Sequence, residues 1–155
     1  MKNKIKFVDY RPEYGYYFEK YNKAWLEEYF TVEPIDKWVL ENPEEAILND
    51  GGKIYFAEYK GQIIGTVALK WYEPGVLELT KMAVDKEARG LGAGKVLCKS
   101  AIEKAKELGA EKLILYSQTS LEPAIEIYRQ LGFQEVPLEK GKYERADIKM
   151  ELDLK

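Results

Sequence analysis

The sequence contains no histidine. Ser-His-Asp and Cys-His nucleophile systems are therefore excluded, as are HExxH metalloprotease sites, and the commonest side-chain ligand for a metal ion is gone. Any acid–base chemistry must come from Glu, Asp, Tyr or Lys. Cys98 is the single cysteine, so neither an internal disulfide nor a cysteine zinc site can form. It falls on an apolar helical stripe and reads as buried filler rather than a reactive thiol. No apolar run approaches the roughly 20 residues a bilayer span requires. The opening MKNKIKFVDY lacks the apolar core of a signal peptide. Net charge is −3, with basic and acidic side chains interspersed. A nucleic-acid surface needs a concentrated basic face, so neither nucleic acid nor membrane is an expected partner. The expected location is the cytoplasm.

What is present is a chain of 155 residues, 46% hydrophobic and 33% charged, which suits one domain over residues 1–155. PEYGYYFEKYNKAWLEEYF (12–30) places Tyr14, Phe18, Tyr21, Trp25 and Tyr29 on one helical face. Pro34 opens a second short helix through Leu40, followed by a loop around Asn42-Pro43. IYFAEY (54–59) and QIIGTVALKWY (62–72) form a hairpin across Lys60-Gly61, and VLELTKMAV (76–84) is a third strand. A helix over 92–108 carries Leu97, Ala101, Ala105 and Leu108 inward, and KLILYS (112–117) is a strand buried on both faces. A helix over 121–131 follows, then two strands, of which the alternating 146–154 segment is clear. The 76–84, 92–108 and 112–117 segments read as a right-handed βαβ crossover with parallel strands. The expected class is α/β: a mixed, mostly antiparallel twisted sheet with a parallel βαβ unit in the middle and helices on both faces.

The run RGLGAGK, from Arg89 to Lys95, stands between the third strand and a helix. Uncapped N–H groups at a helix start, with glycines that admit close approach, make an anion site. The alternative is a glycine turn that merely packs helix against sheet. A P-loop needs Gly at 89 and Ser or Thr at 96, where Arg89 and Val96 stand. A dinucleotide fingerprint starting at Gly90 needs Gly at 95, which is Lys95. Both fail.

Arg89, Gly90, Leu91, Gly92, Ala93 and Gly94 do fit Arg/Gln-x-x-Gly-x-Gly/Ala. With KMAVDKEARG before this loop and AIEIYRQLGF (124–133) after it, the chain resembles the GNAT superfamily of N-acetyltransferases. The agreement in strand order runs from about residue 5 onward. The resemblance implies that the loop, with Lys95, holds the pyrophosphate of acetyl-CoA. It implies that the backbone around Met82, Ala83 and Val84 faces the thioester, and that Ser117, Gln118, Leu121 and Ala124 border the pantetheine arm. Many relatives have Asn where Leu121 stands. Tyr128 takes the position of the family's acid for the departing thiolate, and Glu78 that of a carboxylate base working through water. A base matters because freeing a lysine-like amine of its proton at neutral pH costs roughly 4.6 kcal/mol.

The implied reaction moves an acetyl group from acetyl-CoA to a primary amine of a small molecule, amino acid or peptide. The acceptor side is expected near the N-terminal helices and the KYERAD corner. Tyr29 joins it from the aromatic stripe of 14–29; Glu33, Asp36 and Trp38 suit a cationic, partly apolar amine, and Tyr143 and Arg145 suit a carboxylate. A non-catalytic acyl-CoA sensor of the same fold is the competing class, and a monomer or homodimer is the expected state.

Overall fold

The computed structural model describes residues 4–139 and 145–155. Seven strands form one sheet: β1 (Lys6–Asp9), β2 (Lys53–Tyr59), β3 (Gln62–Glu73), β4 (Val76–Val84), β5 (Lys112–Ser117), β6 (Gln134–Val136) and β7 (Ile148–Asp153). Their spatial order is β1-β2-β3-β4-β5-β7-β6. Every neighbouring pair is antiparallel except β4–β5, which is parallel. The helices are α1 (Gly15–Tyr29), α2 (Pro34–Glu41), α3 (Ala93–Glu107) and α4 (Glu122–Gln130). This is the mixed α/β class that the sequence predicts.

The β2–β3 hairpin turns on Lys60 (φ 51°) and Gly61 (φ 78°), the paired positive φ values that match the twist of two antiparallel strands. Antiparallel pairing then brings β4 beside β3. The connection to β5 must return along the sheet to run parallel, and α3 makes that crossing. Leu97, Cys98, Ala101 and Ala105 of α3 are fully buried against Leu77, Leu113 and Leu115 of the sheet. On the opposite face Phe18 and Leu26 of α1 and Val39 and Leu40 of α2 pack on Ile54, Phe56 and Ala68. Helices therefore cover both faces, as expected. Cys98 is core, and burial pushes its thiol up to about 12, which leaves it unreactive.

Four local expectations differ from the structure. β1 was not legible as a strand: it has four residues and gains its place by pairing with β2, Phe7 stacking on Tyr55 at 4.7 Å. Helix α1 is preceded by a 3-10 turn at Pro12–Tyr14, and its buried face is Phe18, Tyr21, Asn22 and Leu26. Tyr29 shares the angular position of Phe18 but is 46% exposed, because in the last turn its ring meets Trp25, Phe30 and Arg89 instead of the sheet. The segment after Pro43 is a π-helical turn, Glu44–Leu48, whose Ala46 and Ile47 are buried.

Gly52, at the exit of that turn, sits where no side chain fits. A Cβ there would stand 2.6 Å from the Leu69 carbonyl oxygen and 2.8 Å from both Cγ2 and the carbonyl oxygen of Ile47. Two of these atoms are backbone and cannot rotate away. Gly52→Ala is expected to destabilise the fold by about 1–3 kcal/mol, the usual cost of overpacking. A lower urea midpoint at unchanged slope would register it; an unchanged midpoint would refute it.

Candidate functional site

Strands β4 and β5 pair for only three residues, Val76 with Lys112, Leu77 with Leu113 and Glu78 with Ile114. Beyond that they part, and a cleft open to solvent lies between them. Leu79, Thr80, Lys81 and Met82 form one wall, and Leu115, Tyr116, Ser117 and Gln118 the other. Helix α4 contributes Leu121 at its N-cap, Ala124 and Tyr128; α1 contributes Asn22, Trp25 and Leu26. Phe30, Arg145 and Ala146 complete the lining.

The parting has a local cause in β4. Thr66 faces Ala83 and Ala68 faces Thr80, so Lys81 and Met82 together stand opposite the single residue Val67. Lys81 has φ 54°, a left-handed conformation. Such a bulge bends its strand and increases the twist, which carries the end of β4 away from β5.

From Val84 the chain runs into the glycine loop. Asp85 caps a 3-10 turn at Lys86–Ala88 by accepting from the Glu87 N–H. Gly90 (φ 93°) and Gly92 (φ 83°) then reverse the backbone, and Gly92 becomes the N-cap of α3. No side chain caps that helix, so its first N–H groups, from Ala93 onward, lack intrahelical acceptors. A Cβ on Gly90, Gly92 or Gly94 would meet nothing within 4 Å. Packing therefore demands glycine at none of the three, and Gly94 has an ordinary φ as well. An open, donor-lined cradle with the positive end of a 15-residue helix behind it fits a phosphate group.

The sequence-predicted residues divide at this point. Met82, Ser117, Gln118, Leu121, Ala124 and Tyr128 all line the cleft. The side chains of Ala83 and Val84 turn into the two cores, leaving only their backbone for the cleft side. Arg89 does not reach over its loop. Its guanidinium donates to both carboxylate oxygens of Glu28, at 3.1 and 2.7 Å, and sits above the Tyr29 ring. Leu91 and Lys95 are exposed, and Ala93 is buried under α3.

Tyr128 is 7% exposed, edge-on to Phe133 at 5.8 Å. Burial, then the nearby Cys98, raises its phenol above the ordinary value, so it holds its proton throughout the neutral range. Glu78 is 1% exposed and lies outside the cleft wall, close enough to Lys81 for the two charges to act on each other.

Of the acceptor-side residues, Arg145 lines the cleft. Trp38 and Tyr29 are each 46% exposed and outside the cleft lining. Glu33 and Asp36 do not await a cation, because Arg145 already binds them: Nη1 donates to Glu33 at 2.6 Å and to Asp36 at 2.8 Å, and Nη2 donates to Asp36 at 3.0 Å. Glu33 and Asp36 on one side and Arg145 on the other, expected to serve opposite acceptor types, are thus each other's partners. Tyr143 lies outside the described residues.

Lys81 was missed from sequence. Its Nζ donates to Asp36 at 3.0 Å, and the two side chains are 5% and 0% exposed. Burial pushes the Asp36 carboxyl up, but Arg145 and Lys81 more than offset this and hold it below the ordinary carboxylate value. The available signal was a lone ammonium in LELTKMAV, a strand otherwise too apolar to leave a charge unpaired.

Among the described residues, no cluster of three metal-binding side chains exists, and no helix is long and apolar enough to cross a membrane. The model of the acetyltransferase (GNAT) family matches residues 13–133. An uncharacterised N-acetyltransferase of Methanocaldococcus jannaschii is 32% identical over 143 residues, covering 88% of this chain and 57% of its own length. The chain thus spans under two thirds of that relative. An acetyltransferase of the GNAT family from Staphylococcus aureus superposes with a TM-score of 0.85 at 26% identity, over 98% of this chain and all of the other. A putative acetyltransferase from Salmonella typhimurium, solved with acetyl-CoA, gives a TM-score of 0.79 at 16% identity over 97% and 94% of the two chains. With the family model spanning most of the chain, and the parted strands and glycine cradle where its sequence signature falls, this protein belongs to the GNAT acetyltransferase family.

Proposed function

We propose that this protein is an acetyl-CoA-dependent N-acetyltransferase acting on a primary amine of a small molecule, amino acid or peptide. The observation that carries the reading is the cleft between β4 and β5 with Tyr128 in its wall, together with the uncapped start of α3 on the connection that follows β4. The cradle supports binding of the cofactor's pyrophosphate by the N–H groups of Gly92, Ala93, Gly94 and Lys95, with Gly90 and Leu91 shaping the approach. Arg89 serves the cradle indirectly, by tying its loop to α1 through Glu28. The pantetheine arm fits between Met82 on one side and Ser117, Gln118, Leu121 and Ala124 on the other.

When bound, acetyl-CoA supplies a thioester-activated acetyl group. The chain provides the rest. Backbone donors of the bulged segment from Met82 to Val84 stabilise negative charge on the carbonyl oxygen. Glu78 takes the proton of the attacking amine through a relay, since its carboxylate is buried behind the cleft wall. Tyr128 gives its phenolic proton to the sulfur as the C–S bond breaks, a task that its raised pKa suits. For the acceptor, the wall offers Trp25, Phe30, Lys81 and Arg145 and, among the described residues, no carboxylate. This disfavours a polycationic amine.

Acetyl-CoA at 100 times its dissociation constant should stabilise the protein by about 2.7 kcal/mol. Gly92→Val is expected to abolish that thermal shift, because the new side chain occupies the cradle and a β-branched residue resists φ 83°. An undiminished shift in folded Gly92→Val would remove the cradle from the mechanism. Release of thiol from acetyl-CoA in the presence of a panel of amines tests the reaction itself. Binding without release for any amine would point instead to an acyl-CoA sensor.

Two substitutions probe the proton path with the best amine of that panel. Glu78→Gln should keep cofactor binding and lose the ascending acid limb of the pH–rate profile; profiles that overlay would place the base elsewhere. Tyr128→Phe should weaken CoA binding by no more than about 0.5–1.5 kcal/mol. Its single-turnover rate should fall on the order of 10²-fold, the low end for a general acid, because a thiolate leaves partly unaided. A parental rate would reduce Tyr128 to packing.

A further inference from the structure

Among the described residues, only Lys60 and Lys81 have positive φ without being glycine. Lys60 belongs to a hairpin turn, where such values are routine. Lys81 lies inside β4, at the first position of a bulge whose left-handed residue is ordinarily glycine. For any side chain with a Cβ this conformation is disfavoured roughly 5- to 30-fold. Something must hold it.

The candidate is Asp36. Its carboxylate is fully buried and receives four donors: Lys81 Nζ at 3.0 Å, Arg145 Nη1 at 2.8 Å, Arg145 Nη2 at 3.0 Å and the backbone N–H of Glu33 at 3.0 Å. The last of these closes the capping box of α2, so Asp36 is locked by its own helix before Lys81 reaches it. A carboxylate held by three donors besides Lys81 cannot follow a moving lysine. The lysine must come to it.

We propose that Asp36 is a fixed post to which the Lys81 ammonium is tied, and that this tie holds Lys81 left-handed and keeps the β4 bulge in place. Asp36 and Lys81 are thus positioning residues, acting through the backbone that follows the bulge. The inference rests on the reading that the Met82–Val84 backbone faces the thioester carbonyl. Release of the tie lets the bulge slide along β4, which turns successive residues to the opposite face and withdraws those donors from the cleft.

The test compares Lys81→Met with Lys81→Gly. Both remove the ammonium and leave Asp36 paired with Arg145. Methionine keeps the buried stem but resists positive φ; glycine leaves a cavity and accepts positive φ freely. Two quantities are read: the melting temperature, and the ratio of affinities for acetyl-CoA and S-ethyl-CoA, the thioether lacking the carbonyl oxygen. The wild-type protein should favour acetyl-CoA by about 3- to 10-fold, the worth of one hydrogen bond. Lys81→Gly should keep this preference within twofold and melt above Lys81→Met, whose preference should fall close to one.

If lysine serves only as packing, the order reverses: Lys81→Met melts higher and both variants discriminate like the parent. That result overturns the inference and leaves the thioester reading intact. Absence of discrimination in the wild-type protein overturns the thioester reading and with it the positioning role, while the melting order still reports whether the tie holds the bulge. Where the two readouts disagree, the affinity ratio decides. A Lys81→Met protein that fails to fold while Lys81→Gly folds is the extreme form of the expected melting order; the converse counts against it.

Discussion

The parallel pairing of β4 with β5 stops after Glu78 and Ile114, and the proposed chemistry depends on that stop. A sheet that stayed paired would bury its backbone donors in the ladder and leave no room between the strands. Here the walls of the opening come from Leu79–Met82 and Leu115–Gln118, whose strands pair outward with β3 and β7 and, past Glu78 and Ile114, not with each other. Backbone without a ladder partner demands another acceptor. A ligand with its own amides and carbonyls, such as a pantetheine arm, meets that demand by completing the sheet.

The opening is maintained from both faces. On one, α3 and α4 share a core with β4 and β5 and set Tyr128 against the cleft. On the other, α1 closes over the cleft with Asn22, Trp25 and Leu26, and α2 brings Asp36 to Lys81. The buried ion pair adds little net stability by itself, because desolvation of both charges opposes their attraction. Its consequence is geometric: Glu33 and Asp36, Lys81, and Arg145 come from three separate parts of the chain, and their two carboxylates and two cations neutralise each other where those parts meet. Arg89 plays a looser version of the same part at the surface, joining the phosphate cradle to the end of α1 through Glu28.

The absence of histidine shapes the site as strongly as the residues present. In the proposed mechanism proton transfer falls to Glu78 and Tyr128, a buried carboxylate and a buried phenol, whose ordinary side-chain pKa values lie far from neutrality on opposite sides. Burial raises Tyr128 further, which suits it to hold a proton until a thiolate develops beside it.

The sequence alone carried most of the order of elements, β1 excepted. Strict alternation marked β7, the helical stripe of Leu97, Ala101 and Ala105 marked α3, and the hairpin of β2 and β3 followed from Lys60-Gly61. RGLGAGK announced an anion cradle because glycine spacing and a helix start are local properties, fixed by residues adjacent in the chain. Met82, Ser117, Gln118, Leu121, Ala124 and Tyr128 were placed at the cleft by a family signature that is likewise local. Only the tertiary structure decided the charge partners. Arg89 had a phosphate as its expected neighbour and has Glu28; Arg145 had a carboxylate ligand and has Glu33 and Asp36; Lys81 had none and has Asp36. A charged side chain in a folded protein takes the nearest opposite charge that packing delivers. Nearness across 45, 61 or 109 residues is a property of the fold, with no trace in the spacing of the sequence.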